Sequence, residues 1–410
     1  MTTIQLKPHK EESLLRFHPW VFSGAIHRIV LDKDYPHSEP QEGELVRIID
    51  FNGRTLGVGH YQIGSIAVRM LAFGVEQLPS DFWYERIAAA YRLRKDIGLI
   101  SSDNNTYRLI HGEGDFLPGL VVDVYADTAV VQAHSIGMHC HRKEIADAIV
   151  QVVEDVKNVY YKSADTLPFK AQIEGEKTGY LILDNRPVKS EESADSDDDF
   201  WALENGLQFR IDWLRGQKTG FFVDQRENRA LLERYAYRRD VLNMFCYTGG
   251  FSVYALRGGA KMVHSVDVSE KAVELVRCNV AKNFPDGAPH KAFAQEAFQY
   301  MADIKDKYDL IILDPPAFAK HRDAIKNALR GYQRLNAKAI ECVRKGGIIF
   351  TFSCSQAIDK EMFRLAVFSA AAQVGRRVRI LHQLHQPQDH PINIYHPEGE
   401  YLKGLVLQVE

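Results

Sequence analysis

Long apolar runs are missing from this 410-residue chain. None approaches the ~18 consecutive apolar residues that a membrane-spanning helix needs, which excludes an integral helical membrane protein. The segment Met1 to Glu12 is polar and lacks the apolar core of a secretory signal, so a cytoplasmic protein is expected. Cysteine is sparse. Five residues with no Cys-x-x-Cys pair give no disulfide framework and argue against structural zinc, so no metal is expected. A strong charge of one sign is also missing. The formal net charge of −3 carries no global basic signal for nucleic acid, which leaves only a local basic surface to serve one. What is present is ordinary for a protein with real cores: 45% hydrophobic and 26% charged residues. The length allows two to three domains at roughly 100–200 residues each.

Residues 1–72 read as β-rich, with a small barrel as the natural architecture. Leu45 to Ile49 and Ile66 to Met70 alternate or are β-branched, and Asn52-Gly53 between strand-like runs is a hairpin signal. Asp81 to Leu99 has apolar residues at helical spacing, with Arg86, Arg92, Arg94 and Lys95 on the other side. Arg108 to Ala133 returns to strands around a Gly/Pro turn, 141–154 is a further helix, and 158–188 holds short strands. Glu191 to Asp199 combines acid and serine, which marks an exposed linker and a boundary. After Asp240 the pattern becomes strand, helix, strand, helix: 241–245, 251–258, 262–266, 270–283, 310–313, 323–344, 347–352, 358–374. Alternation of this kind argues a parallel, doubly wound sheet, closed by a final β element at 401–409. The fold class is therefore α/β, with three domains: 1–72 β-barrel, 73–190 α+β, 191–410 Rossmann-like.

The strand 241–245 runs into Tyr247-Thr248-Gly249-Gly250-Phe251 and a helix. Glycines there let the backbone turn tightly and approach a ligand. The next strand ends at Asp267, about 20 residues on, the spacing at which a carboxylate grips ribose hydroxyls. The third glycine of a dinucleotide fingerprint is absent, so a nucleoside cofactor without pyrophosphate, S-adenosylmethionine, fits better. The bland alternative makes the glycines a plain turn and Asp267 a helix cap. Upstream, Gly216 to Arg226 contains Lys218-Thr219 beside glycine, but the order is wrong for a phosphate-binding Walker loop. Phe221, Asp224 and Arg226 of this stretch are candidates for cofactor contact. Asp224 could also cap the helix starting near Gln225.

Two strand ends carry the chemistry. Leu310 to Leu313 ends in Asp314-Pro315-Pro316-Ala317-Phe318, and Gly347 to Phe352 ends in Ser353-Cys354-Ser355. Consecutive parallel strands end at one edge, so a thiol and a carboxylate would face one crevice. That pair suits covalent attack on a pyrimidine. A thiolate adding to ring carbon 6 makes carbon 5 nucleophilic, and the thiolate later leaves. Asp314 near ring nitrogen 3 would neutralise charge in the adduct. Pro315-Pro316 shapes the rim. Phe318 either stacks on an extruded base or belongs to the core. Cys140, Cys246, Cys278 and Cys342 read as small core hydrophobes, the usual fate of a free cysteine.

These motifs together resemble the class I S-adenosylmethionine-dependent methyltransferases. More narrowly, the chain is similar to the bacterial large-subunit ribosomal RNA cytosine-C5 methyltransferases with an N-terminal PUA domain. The resemblance covers essentially the whole chain. It includes Phe17-His18-Pro19-Trp20-Val21-Phe22-Ser23-Gly24-Ala25, His111-Gly112-Glu113-Gly114-Asp115, Leu117-Pro118-Gly119-Leu120, Lys218 to Arg226 and Asp389-His390-Pro391. It implies donor contacts from the turn at Tyr247, Thr248 and Gly249, ribose contact from Asp267, adenine contact near Glu296-Ala297-Phe298, and Cys354 as nucleophile. Its partner would be RNA, most of all 23S ribosomal RNA, with no membrane and with a homodimer left open. Lys7, Lys10, Arg16, His18 and Arg28 of the first domain are candidates to grip that RNA. Many related RNA cytosine enzymes carry a second cysteine after the motif proline. Here the motif is Asp-Pro-Pro-Ala, a pattern shared with uracil-C5 enzymes, so cytosine and uracil both stay open.

Two other readings stand beside this one. Exocyclic N-methylation would use Asp-Pro-Pro to bind an amino group, but Ala317 stands where that signature has an aromatic residue. A non-catalytic RNA-binding or ribosome-assembly factor would keep the fold without using the thiol.

Overall fold

The computed structural model describes residues 1–410 apart from 33–34, 169–174, 189–199 and 319–323. The acidic run expected to mark a boundary lies outside the described residues. The chain divides into two compact units. One comprises Met1–Leu203, Ile211–Val223 and Gln388–Gly399; the other comprises Glu204–Arg210, Asp224–Pro387 and Glu400–Glu410.

The first unit holds two six-stranded sheets. One runs in the order Trp20–Phe22, Ile66–Phe73, Thr55–Tyr61, Leu45–Ile49, Thr3–Leu6, Ile26–Val30. Its core is Ile4, Leu6, Val21, Val46, Ile48, Val68 and Met70. The expected hairpin is present: the Asp50 carboxylate accepts the N–H groups of Asn52 and Arg54, both at 2.8 Å, and Gly53 takes φ +92°. That dihedral favours glycine. The second sheet runs Arg186–Pro187, Thr178–Leu183, Asn158–Lys162, Thr128–Ala133, Leu120–Tyr125, Thr106–His111. Helices Phe82–Asp96 and Arg142–Val152 bury Ile87, Ala90, Tyr91, Ile145 and Ile149 in its core.

Arg94 departs from its expected place on the solvent side of its helix. It is fully buried and forks onto Asp115, at 2.5 and 2.8 Å, while donating to the Asp389 carbonyl at 2.7 Å. Asp115 also accepts the His111 N–H at 2.6 Å, and Asp389 accepts the Arg108 N–H at 2.9 Å. Arg108 in turn forks onto Asp123, at 2.7 and 2.8 Å, and Thr219 donates to the same carboxylate at 2.6 Å. An ion pair that leaves water must satisfy its lone pairs and protons locally, and this knot does so. Three stretches singled out in the sequence, His111 to Asp115, Lys218 to Arg226 and Asp389-His390-Pro391, all contribute to it. A Cβ on Gly114 would lie 1.9 Å from the Pro391 carbonyl oxygen, so that glycine permits the close approach.

The second unit carries a seven-stranded sheet. Its strands are β1 Asp240–Met244, β2 Met262–Asp267, β3 His290–Ala294, β4 Leu310–Leu313, β5 Gly347–Ser353, β6 Val378–His385 and β7 Lys403–Val409. The order is β3-β2-β1-β4-β5-β7-β6, with only β7 antiparallel to its neighbours. The helices are α1 Arg226–Ala236, α2 Gly250–Arg257, α3 Glu270–Asn283, α4 Ala297–Tyr300, α5 Ile325–Cys342 and α6 Lys360–Val374. Strands β1, β4 and β5 are buried almost throughout, as both-face coverage of a parallel sheet demands. Strand order reverses between β1 and β4, which opens a crevice at their carboxyl ends.

Candidate active site

Register sets the geometry of that crevice. Met244 lies beside Val266 and Leu313, and Leu313 lies beside Thr351. The next residues, Phe245, Asp267 and Asp314, therefore leave the sheet at one level, and Cys354 emerges two positions beyond Phe352 on β5.

The turn after β1 is held in an unusual conformation. Phe245, Tyr247 and Gly249 all have left-handed φ, at 58°, 47° and 80°. The two non-glycine residues carry strain that surrounding bonds must offset. The Tyr247 N–H donates to Asp267 at 3.0 Å, the Gly249 N–H donates to the Cys246 carbonyl at 2.8 Å, and the Asn279 amide donates to the Thr248 carbonyl at 2.8 Å. A Cβ on Gly249 would meet the Val276 side chain at 2.8 Å, so glycine is needed both for φ and for packing against α3. Asp267 also accepts the Ser269 N–H at 3.0 Å. The bland reading of Asp267 as a cap fails, because Ser269 caps α3. The Asp267 carbonyl accepts from Gln295 at 2.9 Å, which brings Glu296 and Ala297 to the same strand end. Glu296 caps α4 through Gln299, at 2.8 Å, and the Phe298 ring is partly covered by the Arg334 guanidinium.

The first turn of α1 supplies a further wall. Gln225 donates to the Asp314 carboxylate at 3.1 Å, and Asn228 holds the Gln225 oxygen at 2.6 Å. Asp224 does not cap this helix. Gln225 is the flanking residue, without a side-chain cap bond, and Asp224 instead accepts the Tyr401 hydroxyl at 2.7 Å. Arg226 is buried at the start of α1. Phe221 belongs to the first unit, where it is buried and its carbonyl accepts the Tyr125 hydroxyl.

Cys354 is half-buried, and both of its neighbours are locked. Ser353 and Ser355, each almost fully buried, bond the buried Tyr332 hydroxyl at 2.9 and 3.1 Å. The thiol-bearing turn is thus fixed from α5 while the cysteine between the serines stays accessible. The other cysteines differ. Burial and the Asp267 carboxylate push the Cys246 thiol well up, and burial raises that of Cys342. Cys140 was expected in the core but is exposed, at the end of a short helix, and Cys278 is only half-buried. Pro315 is buried and Pro316 exposed. Phe318 is half-buried and packs on Gly331 and Tyr332, with ring centroids 4.6 Å apart.

Gln225 and Tyr332 are residues of the site that the sequence reading passed over. For Gln225 the usable signal was its place in the singled-out stretch Lys218 to Arg226. Tyr332 gave none, because an aromatic on an amphipathic helix reads as core.

Comparison with known proteins gives the family. Residues 173–395 match the S-adenosylmethionine-dependent methyltransferase family, and residues 4–73 match a PUA-like domain. The chain is 38% identical over 412 residues to the ribosomal RNA large subunit methyltransferase I of Tolumonas auensis, with 99% of each chain covered. It is 37% identical over 409 residues to the protein of that name from Alteromonas mediterranea, with 98% of each covered. Among solved structures, a protein from Streptococcus mutans described as a SAM-dependent methyltransferase shares the fold over 100% of both chains, at a TM-score of 0.80 and 22% identity.

S-adenosylmethionine is the methyl donor of this family, and the residues present fit it. The Asp267 carboxylate stands at the carboxyl end of β2 with lone pairs left for ribose hydroxyls. The half-buried Tyr247 stands beside it in the glycine turn, tied to it through its N–H, and the adjoining Asp314 suits a cationic sulfonium. The chain belongs to the S-adenosylmethionine-dependent methyltransferases and, within them, to the family of the large-subunit ribosomal RNA methyltransferases I, with a PUA-like domain ahead of the catalytic sheet.

Proposed function

We propose that this chain methylates carbon 5 of a cytosine in 23S ribosomal RNA, in the cytoplasm, through a covalent bond to Cys354. The observation that carries this reading is the accessible Cys354 thiol at the sheet edge that also bears Asp267 and Asp314. The relatives' name supplies the substrate class.

Each residue then has a task. The Cys354 thiolate adds to ring carbon 6, and the displaced electron pair makes carbon 5 nucleophilic. Asp314, oriented by Gln225, holds a proton at ring nitrogen 3, which neutralises the negative charge that thiolate addition pushes onto the ring. Bound S-adenosylmethionine supplies the electrophilic methyl that the activated ring carbon takes up. Transfer of the carbon-5 proton to water or hydroxide then expels Cys354 as thiolate. Tyr247, Thr248 and Gly249 contact the donor through backbone, Asp267 its ribose, and Glu296 and Ala297 its adenine, with Asp224 and Arg226 in the adjoining wall. Pro315, Pro316 and Phe318 form the rim against which the flipped base rests.

The PUA-like domain grips the RNA. Lys7, Lys10, Arg16 and Arg28 are exposed there, and His18 half so. Phosphate contacts of this kind predict binding that weakens steeply with salt.

Mass mapping of 23S ribosomal RNA tests the reading. Cells lacking the protein should lose one 5-methylcytosine, restored by the wild-type chain and not by Cys354→Ala. An unchanged map would reject the proposal, and loss of an N-methyl mark would favour exocyclic methylation.

A further inference from the structure

Lys403 opens β7 and lies opposite Ser353, the last residue of β5. Its side chain is 95% removed from solvent, yet it does not snorkel outward. The ammonium donates to the Ser355 carbonyl at 2.7 Å and to the Ile358 carbonyl. Opposed to residue 353 and bonded to residue 355, the lysine spans Cys354. A buried cation of this kind is costly unless paired. Two carbonyls satisfy donors but supply no formal charge. The charged groups facing it are Cys354, Asp359, Glu400 and, unfavourably, Lys360. Asp359 is exposed and caps α6 through Met362 at 2.8 Å, and Glu400 is engaged by Lys360. An ionised Cys354 would be the counterpart carried by the turn that Lys403 holds.

We propose that Lys403 is a positioning residue for methyl transfer: its buried ammonium fixes the turn from Ser355 to Ile358 and stabilises Cys354 as the thiolate. Burial holds the Lys403 pKa down to about 8, and Cys354 is the first of the groups that raise it again. The coupling is reciprocal, so the same interaction that keeps the lysine charged keeps the thiol ionised. The inference rests on Cys354 being the nucleophile.

Alkylation of Cys354 by iodoacetamide in the full-length protein, followed by peptide mass spectrometry across a pH series, tests it without donor or RNA. Lys403→Met should move the alkylation midpoint up by about one pH unit and slow labelling near neutrality about tenfold. Lys403→Arg should recover most of that. A purely structural role would alter accessibility at every pH and leave the midpoint in place. A midpoint shared by wild type and Lys403→Met overturns the proposal. Should Lys403→Met fail to fold, the reciprocal titration decides. With carbon-13 at the lysine ε position, Lys403 should titrate at lower pH in Cys354→Ala than in wild type, and an unchanged titration overturns the inference. Formation of a Cys354 adduct on 5-fluorocytosine RNA with an unshifted thiol midpoint would sink the role of Lys403 and leave the nucleophile standing.

Discussion

The first unit and the second each gather aspartates contributed by separated motifs, and they treat them oppositely. In the first, Asp115, Asp123 and Asp389 are buried and bonded on every side by Arg94, Arg108, Thr219 and backbone N–H groups. In the second, Asp267 and Asp314 stay half-open at strand ends beside a half-open thiol. Both look like chemistry when read as strings. Exposure separates them: the knot encloses its carboxylates with their partners and stabilises a fold, whereas the crevice presents its groups at a half-open strand edge that a ligand can reach.

Substitutions can test that contrast, beginning with the most damaging. Cys354→Ala should lower methyl transfer by at least about a thousandfold, the scale of losing a covalent nucleophile, with donor affinity by calorimetry and thermal unfolding unchanged. Arg94→Met should destabilise the first unit by about 3–5 kcal/mol, because it leaves Asp115 as a buried unpaired charge, read by urea unfolding. Asp267→Ala should weaken donor binding about tenfold to a hundredfold, the value of hydrogen bonds to a charged group, with a small change in melting temperature. If Asp267→Ala unfolds the protein while donor affinity in the folded fraction persists, the crevice is a second structural knot and the contrast collapses.

The smallest effect concerns pH. His60 is buried against His141 and Trp83, and burial chiefly, with His141 and Arg69, lowers its pKa from 6.5 to about 3. The unfolded chain takes up this proton first, so His60 destabilises the fold as pH falls from 6.5 toward 3 and is silent above that window. His60→Gln should flatten the acid limb of the stability curve by on the order of 1–2 kcal/mol near pH 5. An equally steep limb in the variant would show that His60 is not its source.

Much of the second unit was legible because strand and helix alternate with clear periodicity from β1 to α6. Two strands of its seven-stranded sheet escaped. β3 begins His290-Lys291 and has no buried residue, and β6, Val378–His385, is mostly exposed. Edge strands need not be apolar on either face, so hydrophobic pattern does not find them. The glycine turn, Asp267, Asp314 and Cys354 were legible because strand ends in a parallel sheet converge by register. Arg94 and Asp224 were not. Arg94 was read as surface charge, and Asp224 as a donor contact that could also cap its helix. The folded chain instead gave each a partner far along the sequence, Asp389 for Arg94 and Tyr401 for Asp224. Local propensity carries no trace of such partners.

The nucleophile is the central claim, and 5-fluorocytosine RNA tests it most directly. With fluorine on carbon 5, the final proton loss is blocked and the enzyme should remain attached to its substrate. Mass spectrometry of the digested complex is expected to find one RNA fragment bonded to the peptide carrying Cys354. A protein that methylates unmodified RNA yet forms no adduct, or forms it at another cysteine, would contradict the account.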